Sequence, residues 1–463
     1  MVEIATPTGE GLVDETPPHP AAALPASPAY RSYVLWLLLA VYIVNFLDRQ
    51  VINILVVWIR KDLHLSKTEV GLLSGTAFGI VYTLLGFPLA RAADRHNRSV
   101  IISACLAAWS VFTGLCGLAQ NFIQLVLARG GVGIGEAGCV PTSHALIADY
   151  SPKEKRASAL AFYAMGTPIG AFLGTFIGGA MNDAFGWRKA FLVAAVPGLA
   201  LAVLCLFTLK EPRNLIASAR ARAGAAAQAA GEGLASFGET LRYLRTKRAF
   251  WWLGAGAGVR AFLGYGHAPF VAVFFDSAHG AEVTRLAHLF HTKEGTFLGF
   301  AIGLATGVAG AAGSLIGGLV ADRMGKRDLR VFGAMPAIAV VAAFPFTVWI
   351  YTTPNTALAL ALYAVPSILA TLWYGPVYAA AQGVVPQRMR AMSASIMLFM
   401  INFAGLVVGA LAIGAFADLL DKGFGLGDAG GLRWALIGST ALGLAGALFF
   451  WFARDRIRDE IVS

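Results

Sequence analysis

Two carboxylates stand where the chain is otherwise apolar. Asp48 lies in Asn45-Phe46-Leu47-Asp48-Arg49, and Glu136 ends the run Arg129-Gly130-Gly131-Val132-Gly133-Ile134-Gly135-Glu136. The other acidic residues fall at the ends of apolar stretches, between them, or in the tails. An ionised side chain at the centre of a bilayer costs at least ~2.5–3.5 kcal/mol on insertion scales, so such groups face one another or a wet cavity. Carboxylates in a low-dielectric site change protonation with their surroundings, whereas an arginine stays charged and swaps partners. Asp48 and Glu136 therefore suit proton coupling: protonating Asp48 frees Arg49 towards Glu136. Arg49 is equally suited to hold an anionic headgroup.

Spacing decides what these groups can reach together. Successive helical residues diverge by ~100°, so Asp48 and Arg49 point apart, one towards a ligand and the other towards a neighbouring helix. Asn45 precedes them by three and four positions and shares their face. Arg129 and Glu136 differ by seven, two turns on one face. The small residues between them let another helix approach or leave room for a ligand. A static buried network between the two helices is the alternative.

The second half of the chain is poorer in charge, with Arg260 as its only basic residue inside an apolar run. The following Gly264-Tyr265-Gly266-His267-Ala268-Pro269 predicts a kink, and Arg260 then either faces the interior or reaches the membrane interface. Trp373, Tyr374, Tyr378 and Asn402 offer an amphipathic wall to a substrate, with ordinary helix packing as the competing role. The eight histidines are scattered, and His288 and His291 have no acidic partner at metal spacing. Cys105, Cys116, Cys139 and Cys205 all lie in apolar segments, without metal or disulfide spacing. No metal, cofactor or catalytic constellation is expected, and with no phosphate-cradling loop, ATP is not the expected energy source.

The elements that hold these residues follow from composition. The chain has 463 residues, of which 57% are hydrophobic and 13% charged, with mean hydropathy +0.67. That is too few polar residues to coat a soluble protein of this size. It excludes an ordinary soluble enzyme, a nucleic-acid binder and a disordered chain, and leaves an all-α membrane protein. A span needs about 20 residues. Twelve stretches qualify: 32–58, 68–90, 99–119, 122–148, 157–181 and 189–209, then 249–275, 294–319, 329–352, 356–384, 391–417 and 432–453. Ser66-Lys67-Thr68-Glu69 reads as a capping box that opens the second. With both termini in the cytoplasm, 24 of the 36 basic residues fall on that side and nine on the other, with three inside helices. The net charge of +10 is thus a topology signal, with some attraction to anionic membrane lipids.

The chain also repeats itself. Leu89-Ala90-Arg91-Ala92-Ala93-Asp94-Arg95-His96-Asn97-Arg98 returns around Gly318-Leu319-Val320-Ala321-Asp322-Arg323-Met324-Gly325-Lys326, with Asp94 and Asp322 228 residues apart. Two duplicated six-helix halves on a basic tether form a transporter architecture. The expected division is a disordered tail (1–30), a first bundle (31–210), a cytoplasmic linker (211–248) read as a solvated tether, with a surface helix over 237–243 as its alternative, a second bundle (249–455) and a short tail (456–463).

These repeats resemble the hallmark of the major facilitator superfamily, G-x-x-x-D-R-x-G-R/K after helices 2 and 8. Gly318, Asp322, Arg323, Gly325 and Lys326 match it, whereas Ala90 and Asn97 depart from it. Arg129 to Gly135 resembles the family's fourth-helix motif, and Gly166-Thr167-Pro168-Ile169-Gly170 a degenerate form of its fifth-helix motif. Asn45 to Arg49 and Gly133 to Ala137 are similar to the spinster group. The resemblance implies two pseudo-symmetric bundles working by alternating access, with helices 1 and 4 lining a central cavity. Asp48 and Glu136 would then serve proton coupling, and Arg49, Asn45, Arg129, Trp373, Tyr374, Tyr378 and Asn402 substrate binding. Asp94, Arg95, Arg98, Asp322, Arg323 and Lys326 would form a cytoplasmic gate, topology anchoring being their bland alternative. Eukaryotic spinsters move sphingosine phosphate or lysophospholipids. The expectation is therefore a monomeric, proton-coupled carrier of a lipid-like or amphipathic anion in a bacterial inner membrane. A multidrug or organic-anion efflux carrier, an uncoupled facilitator and, remotely, a membrane lipid enzyme are the alternatives.

Overall fold

A computed structural model describes residues 26–152, 155–212 and 236–461. Most of the expected tail (1–30) and of the linker (211–248) lies outside the described residues. Those described form twelve long helices: α1 (Pro28–Asp62), α2 (Lys67–Ala93), α3 (Arg98–Leu118), α4 (Phe122–Tyr150), α5 (Ser158–Phe185) and α6 (Trp187–Thr208), then α7 (Arg248–Leu289), α8 (Glu294–Gly325), α9 (Val331–Thr352), α10 (Thr356–Gly383), α11 (Gln387–Gly423) and α12 (Gly427–Glu460). Eleven are long and apolar enough to cross a membrane; α7 completes the set at 42 residues. This is an integral membrane protein.

Polar caps punctuate the apolar runs. Ser27 accepts from the Tyr30 N–H with Pro28 opening α1. The capping box at Ser66 forms in full: the Glu69 N–H donates to Ser66 Oγ at 3.2 Å and the Ser66 N–H to Glu69 Oε2 at 2.8 Å. Asn97, Asn121 and Asn355 cap α3, α4 and α10 in the same way.

One local expectation fails. The helix runs unbroken through Gly264–Pro269, and the non-helical residue of α7 is His279 (φ −131°, ψ 16°). Membrane helices tolerate proline where neighbours supply compensation, and His279 instead spends its Nδ1 on Thr356 Oγ1 at 3.0 Å. The surface helix beside the linker spans Phe237–Leu244, and its Glu239 pairs with Arg388 at 2.7 Å.

The duplication read from the sequence is visible in the packing. In the first half α1 packs on α5, α2 on α4 and α3 on α6; in the second, α7 packs on α11, α8 on α10 and α9 on α12. The halves meet through α2 with α11 and α5 with α8. One apolar core joins the first half to the part of the second that lies away from the chain termini, including Phe270, Ile350, Ala410 and Leu436. The end of the second half nearest the termini has its own core, around Phe250, Val377 and Ile457. The halves are thus welded at the face opposite the termini, here called the distal face.

The weld is built twice. At the end of α11, Asp418 accepts from the Lys67 N–H at 3.2 Å, the Thr68 N–H at 2.8 Å and Thr68 Oγ1 at 2.6 Å. At the end of α5, Asp183 accepts from the Gly295 N–H at 3.1 Å, the Thr296 N–H at 2.6 Å and Thr296 Oγ1 at 2.7 Å. Each carboxylate caps the N-terminus of a helix in the other half, meeting its unpaired N–H groups and positive dipole end. Below the caps the backbones touch: a Cβ on Gly71 would lie 2.2 Å from the Ala410 carbonyl oxygen, and one on Gly299 2.3 Å from that of Thr175. Thr68 and Thr296, like Gly71 and Gly299, are 228 residues apart, the spacing of Asp94 and Asp322.

Ion pairs reinforce one copy. Lys67, only 1% exposed, reaches Asp421 at 2.6 Å and Asp428 at 2.8 Å. Arg60 holds both oxygens of Asp428, at 2.5 and 3.0 Å, and Lys61 reaches Asp276 at 2.8 Å.

Gly71→Ala and Gly299→Ala should each push the halves apart at the distal face. Spin labels placed on α2 and α11 near that face should then separate in pulsed electron–electron resonance; an unchanged distance distribution in both variants would contradict the contact.

Candidate functional site

A cavity of about 310 Å³ lies between the halves, beneath the weld. Its lining includes Arg49, Gln50 and Asn53 from α1, Gly75 and Phe78 from α2, Arg129 from α4 and Thr175 from α5. The second half contributes Arg260 and His267 from α7, Tyr363, Trp373 and Tyr374 from α10, and Leu406 from α11. Among the described residues, three arginines and no Asp or Glu face it.

Arg49 is the central group of the first wall. Its Nε donates to Glu136 Oε2 at 2.5 Å, with the side chains 11% and 0% exposed. The guanidinium lies over the rings of Tyr82 (4.5 Å), Phe78 (5.1 Å) and Phe46 (5.3 Å). Cation–π contacts of this kind reach about 2 kcal/mol when desolvated. Arg129, 2% exposed, lies over the same Phe78 ring at 5.1 Å, and its Nη1 donates to the backbone carbonyl of Asp48 at 3.5 Å.

Asp48 points the other way, as the ~100° divergence requires. Thr113 Oγ1 of α3 donates to its Oδ2 at 3.4 Å, and it does not line the cavity. Among the described residues, neither Oδ1 of Asp48 nor Oε1 of Glu136, both buried, has a donor within hydrogen-bond geometry. Asn45 is fully buried with its amide unpaired. The small residues of α4 serve helix approach: a Cβ on Gly133 would lie 2.8 Å from the Phe78 carbonyl oxygen, and one on Gly135 2.5 Å from the Trp109 nitrogen. Arg49 thus reaches Glu136 across α1 and α4, and Asp48 is held against α3.

On the other wall Trp373 and Tyr374 line the cavity with their rings stacked at 4.3 Å. Tyr378 and Asn402 do not line it; Tyr378 packs against the second core and Asn402 is buried. Arg260 faces the cavity and not the membrane interface. His267 lies beside it along α7, with its Nε2 2.8 Å from Ser439 Oγ.

The expected gate residues are spread over the face bearing the termini. Arg98 pairs with Asp149, and its backbone N–H donates to Glu211 at 2.6 Å. Arg95, Asp322, Arg323 and Lys326 are exposed, and among the described residues none of them makes an ion pair. The side chain of Asp94 lies outside those described. The distal weld, by contrast, was not among the expected sites. Its signal was present in the repeat of Thr68-x-x-Gly71 as Thr296-x-x-Gly299, but the capping Asp183 and Asp418 read only as helix-end residues.

The fold and cavity agree with the comparisons to known proteins. The family model of the Major Facilitator Superfamily matches residues 38–410, and the chain belongs to that superfamily. It is 30% identical to an MFS-type efflux pump of Mycolicibacterium smegmatis, over 90% of this chain and 91% of that protein. It is 28% identical to a probable L-galactonate transporter of Escherichia coli, over 93% and 90%. Among solved structures it is similar to a bacterial homolog of the human lysosomal transporter spinster, inward-facing and unoccupied, with a TM-score of 0.80 and 27% identity, covering 95% of this chain and 100% of that one. The protein is a spinster-like transporter and not an enzyme.

Removing one partner of a buried ion pair strands the other, typically at a cost of about 3–5 kcal/mol. Glu136→Ala should therefore lower the thermal unfolding midpoint of the detergent-solubilised protein more than the double variant Arg49→Met/Glu136→Leu does. Equal midpoints for wild type and Glu136→Ala would show that the pair carries no such weight.

Proposed function

We infer that the protein is a proton-coupled secondary transporter that moves an amphipathic anion, of the lysophospholipid or sphingosine-phosphate type, by alternating access. The observation that carries the reading is the Arg49–Glu136 pair bordering a cavity lined by three arginines and no carboxylate. An anion entering that cavity competes with Glu136 for Arg49. A proton on Glu136 releases the same guanidinium, so proton and substrate occupancy are linked through one shared cation. The unpaired oxygens of Asp48 and Glu136 support proton uptake there, because a buried carboxylate short of donors is stabilised by carrying its own hydrogen.

The excess of basic residues on the side bearing the termini supports their placement in the cytoplasm, and the alanine-rich, cysteine-poor composition supports a bacterial inner membrane. The distal weld is then the external seal, and this conformation opens inward. In the outward-open state the seal breaks, and Asp94, Arg95, Arg98, Asp322, Arg323 and Lys326 close the cytoplasmic side. Asn45 lies beside Glu136 on the same helix face as Arg49, Arg129 fixes the backbone at Asp48, and Trp373 and Tyr374 give the apolar part of the substrate a flat surface. Tyr378 and Asn402 border the path that opens when the halves rock. The carrier works as a monomer, since the cavity lies within one chain.

A second reading, a compact organic acid as substrate, is favoured by the cavity of about 310 Å³ and by the relative named for L-galactonate. Proteoliposome uptake decides between the two, using a panel of lysolipids and sugar acids with and without an imposed pH gradient. The gradient should drive accumulation in wild type, and Asp48→Asn or Glu136→Gln should abolish that drive while leaving exchange of labelled for unlabelled substrate. Coupling of wild-type strength in both variants would sink the proton assignment, and a gradient without effect on wild type would make the protein a facilitator.

A further inference from the structure

The two walls of the cavity are not electrically equivalent. On the first, Arg49 is neutralised by Glu136 at 2.5 Å, and Arg129 is anchored at the Asp48 carbonyl. On the second, Arg260 lines the cavity and has no hydrogen bond or ion pair among the described residues. Among the described residues no acidic side chain lines the cavity. A guanidinium in the membrane interior without a counter-ion is expensive, and among the described residues no acidic side chain pairs with it.

Its surroundings define what would. Arg260, Gly264, His267 and Ala268 form one stripe of α7 along the cavity, and Tyr363 and Tyr374 line the same wall. Beyond them the lining turns apolar through Ala339, Val340 and Ala343 of α9. A planar fork of donors beside an apolar slope matches a carboxylate or phosphate carried on an organic body.

We propose that Arg260 is the anion-binding residue of the cavity and takes the carboxylate or phosphate of the substrate, while Arg49 stays with Glu136 in this conformation. The assignment rests on reading the protein as an anion carrier, and it adds an anchoring charge on the second half to the shared cation of the first. Arg260 then holds the anion while Arg49 is paired with Glu136, and a proton on Glu136 frees Arg49 to join it. Tyr363 and Tyr374 position the anion and do not replace its counter-charge.

Binding to the purified full-length protein tests this, with Trp373 in the cavity wall as a fluorescence reporter. The anionic probes are L-galactonate and 1-oleoyl lysophosphatidate, and their uncharged counterparts are galactitol and 1-oleoylglycerol. Arg260→Gln should weaken whichever anion binds by about 10- to 100-fold, the range for a lost hydrogen bond to a charged group. Affinity for the uncharged counterpart should stay constant. The anion that responds identifies the source of the charged group, small organic acid or lipid headgroup. Gly264→Asp gives an independent arm. A Cβ there meets nothing within 4 Å, and its carboxylate, one turn from Arg260 on the same face, should neutralise it in place with the same loss.

Anion affinity at the wild-type value in both variants would overturn the assignment and leave the anion-carrier reading intact. A wild-type protein that prefers the uncharged counterparts to both anions would overturn the two together.

Discussion

Hydrocarbon does not solvate charge, and that constraint organises this molecule. Arg49, Arg129 and Glu136 are almost removed from solvent inside a span of apolar residues, where an uncompensated ion is costly. Glu136 and Arg49 answer it together, with three aromatic rings closing around the guanidinium. An arrangement that satisfies one cation with one anion and leaves carboxylate oxygens without donors is stable, but it is sensitive to anything that brings a proton or a second anion. Stability and responsiveness come from the same few atoms.

The weld at the distal face shows how a duplicated sequence makes a reversible contact. Asp418 and Asp183 each cap a helix of the opposite half, and glycines just below bring the backbones within van der Waals range. Helix-end hydrogen bonds of this kind are individually modest. Two equivalent copies related by pseudo-symmetry make one discrete, packed contact between the halves, the kind of interface that has two arrangements and not a continuum. The added ion pairs of Arg60 and Lys67 occur at only one of the two copies. The two copies share a frame but diverge in charge, one of them carrying these ion pairs among the described residues.

The same divergence separates the two walls of the cavity. The first half holds a balanced set of buried charges, whereas among the described residues the wall of the second holds one arginine beside tyrosines and an apolar slope.

Composition and periodicity by themselves determined the membrane class, the twelve helices, the duplication and the presence of rare intramembrane charges, because each follows from what hydrocarbon excludes and from a pattern repeated 228 residues later. The divergence of Asp48 from Arg49 was also legible, since it is a property of one helix. Which partner each chose was not. Arg49 met Glu136 and Asp48 met Thr113 because of how α1 lies between α3 and α4, a packing outcome that no single helix encodes. The glycine-rich fourth helix left two uses open, and close approach to α2 and α3 chose between them. Asp183 and Asp418 looked like ordinary helix-end residues, and Arg260 could have faced lipid headgroups. Only the meeting of two distant halves gave the two aspartates their partners, and only the packing of α7 beside α10 set Arg260 in the cavity wall, since a contact between surfaces far apart in sequence leaves no local period to read.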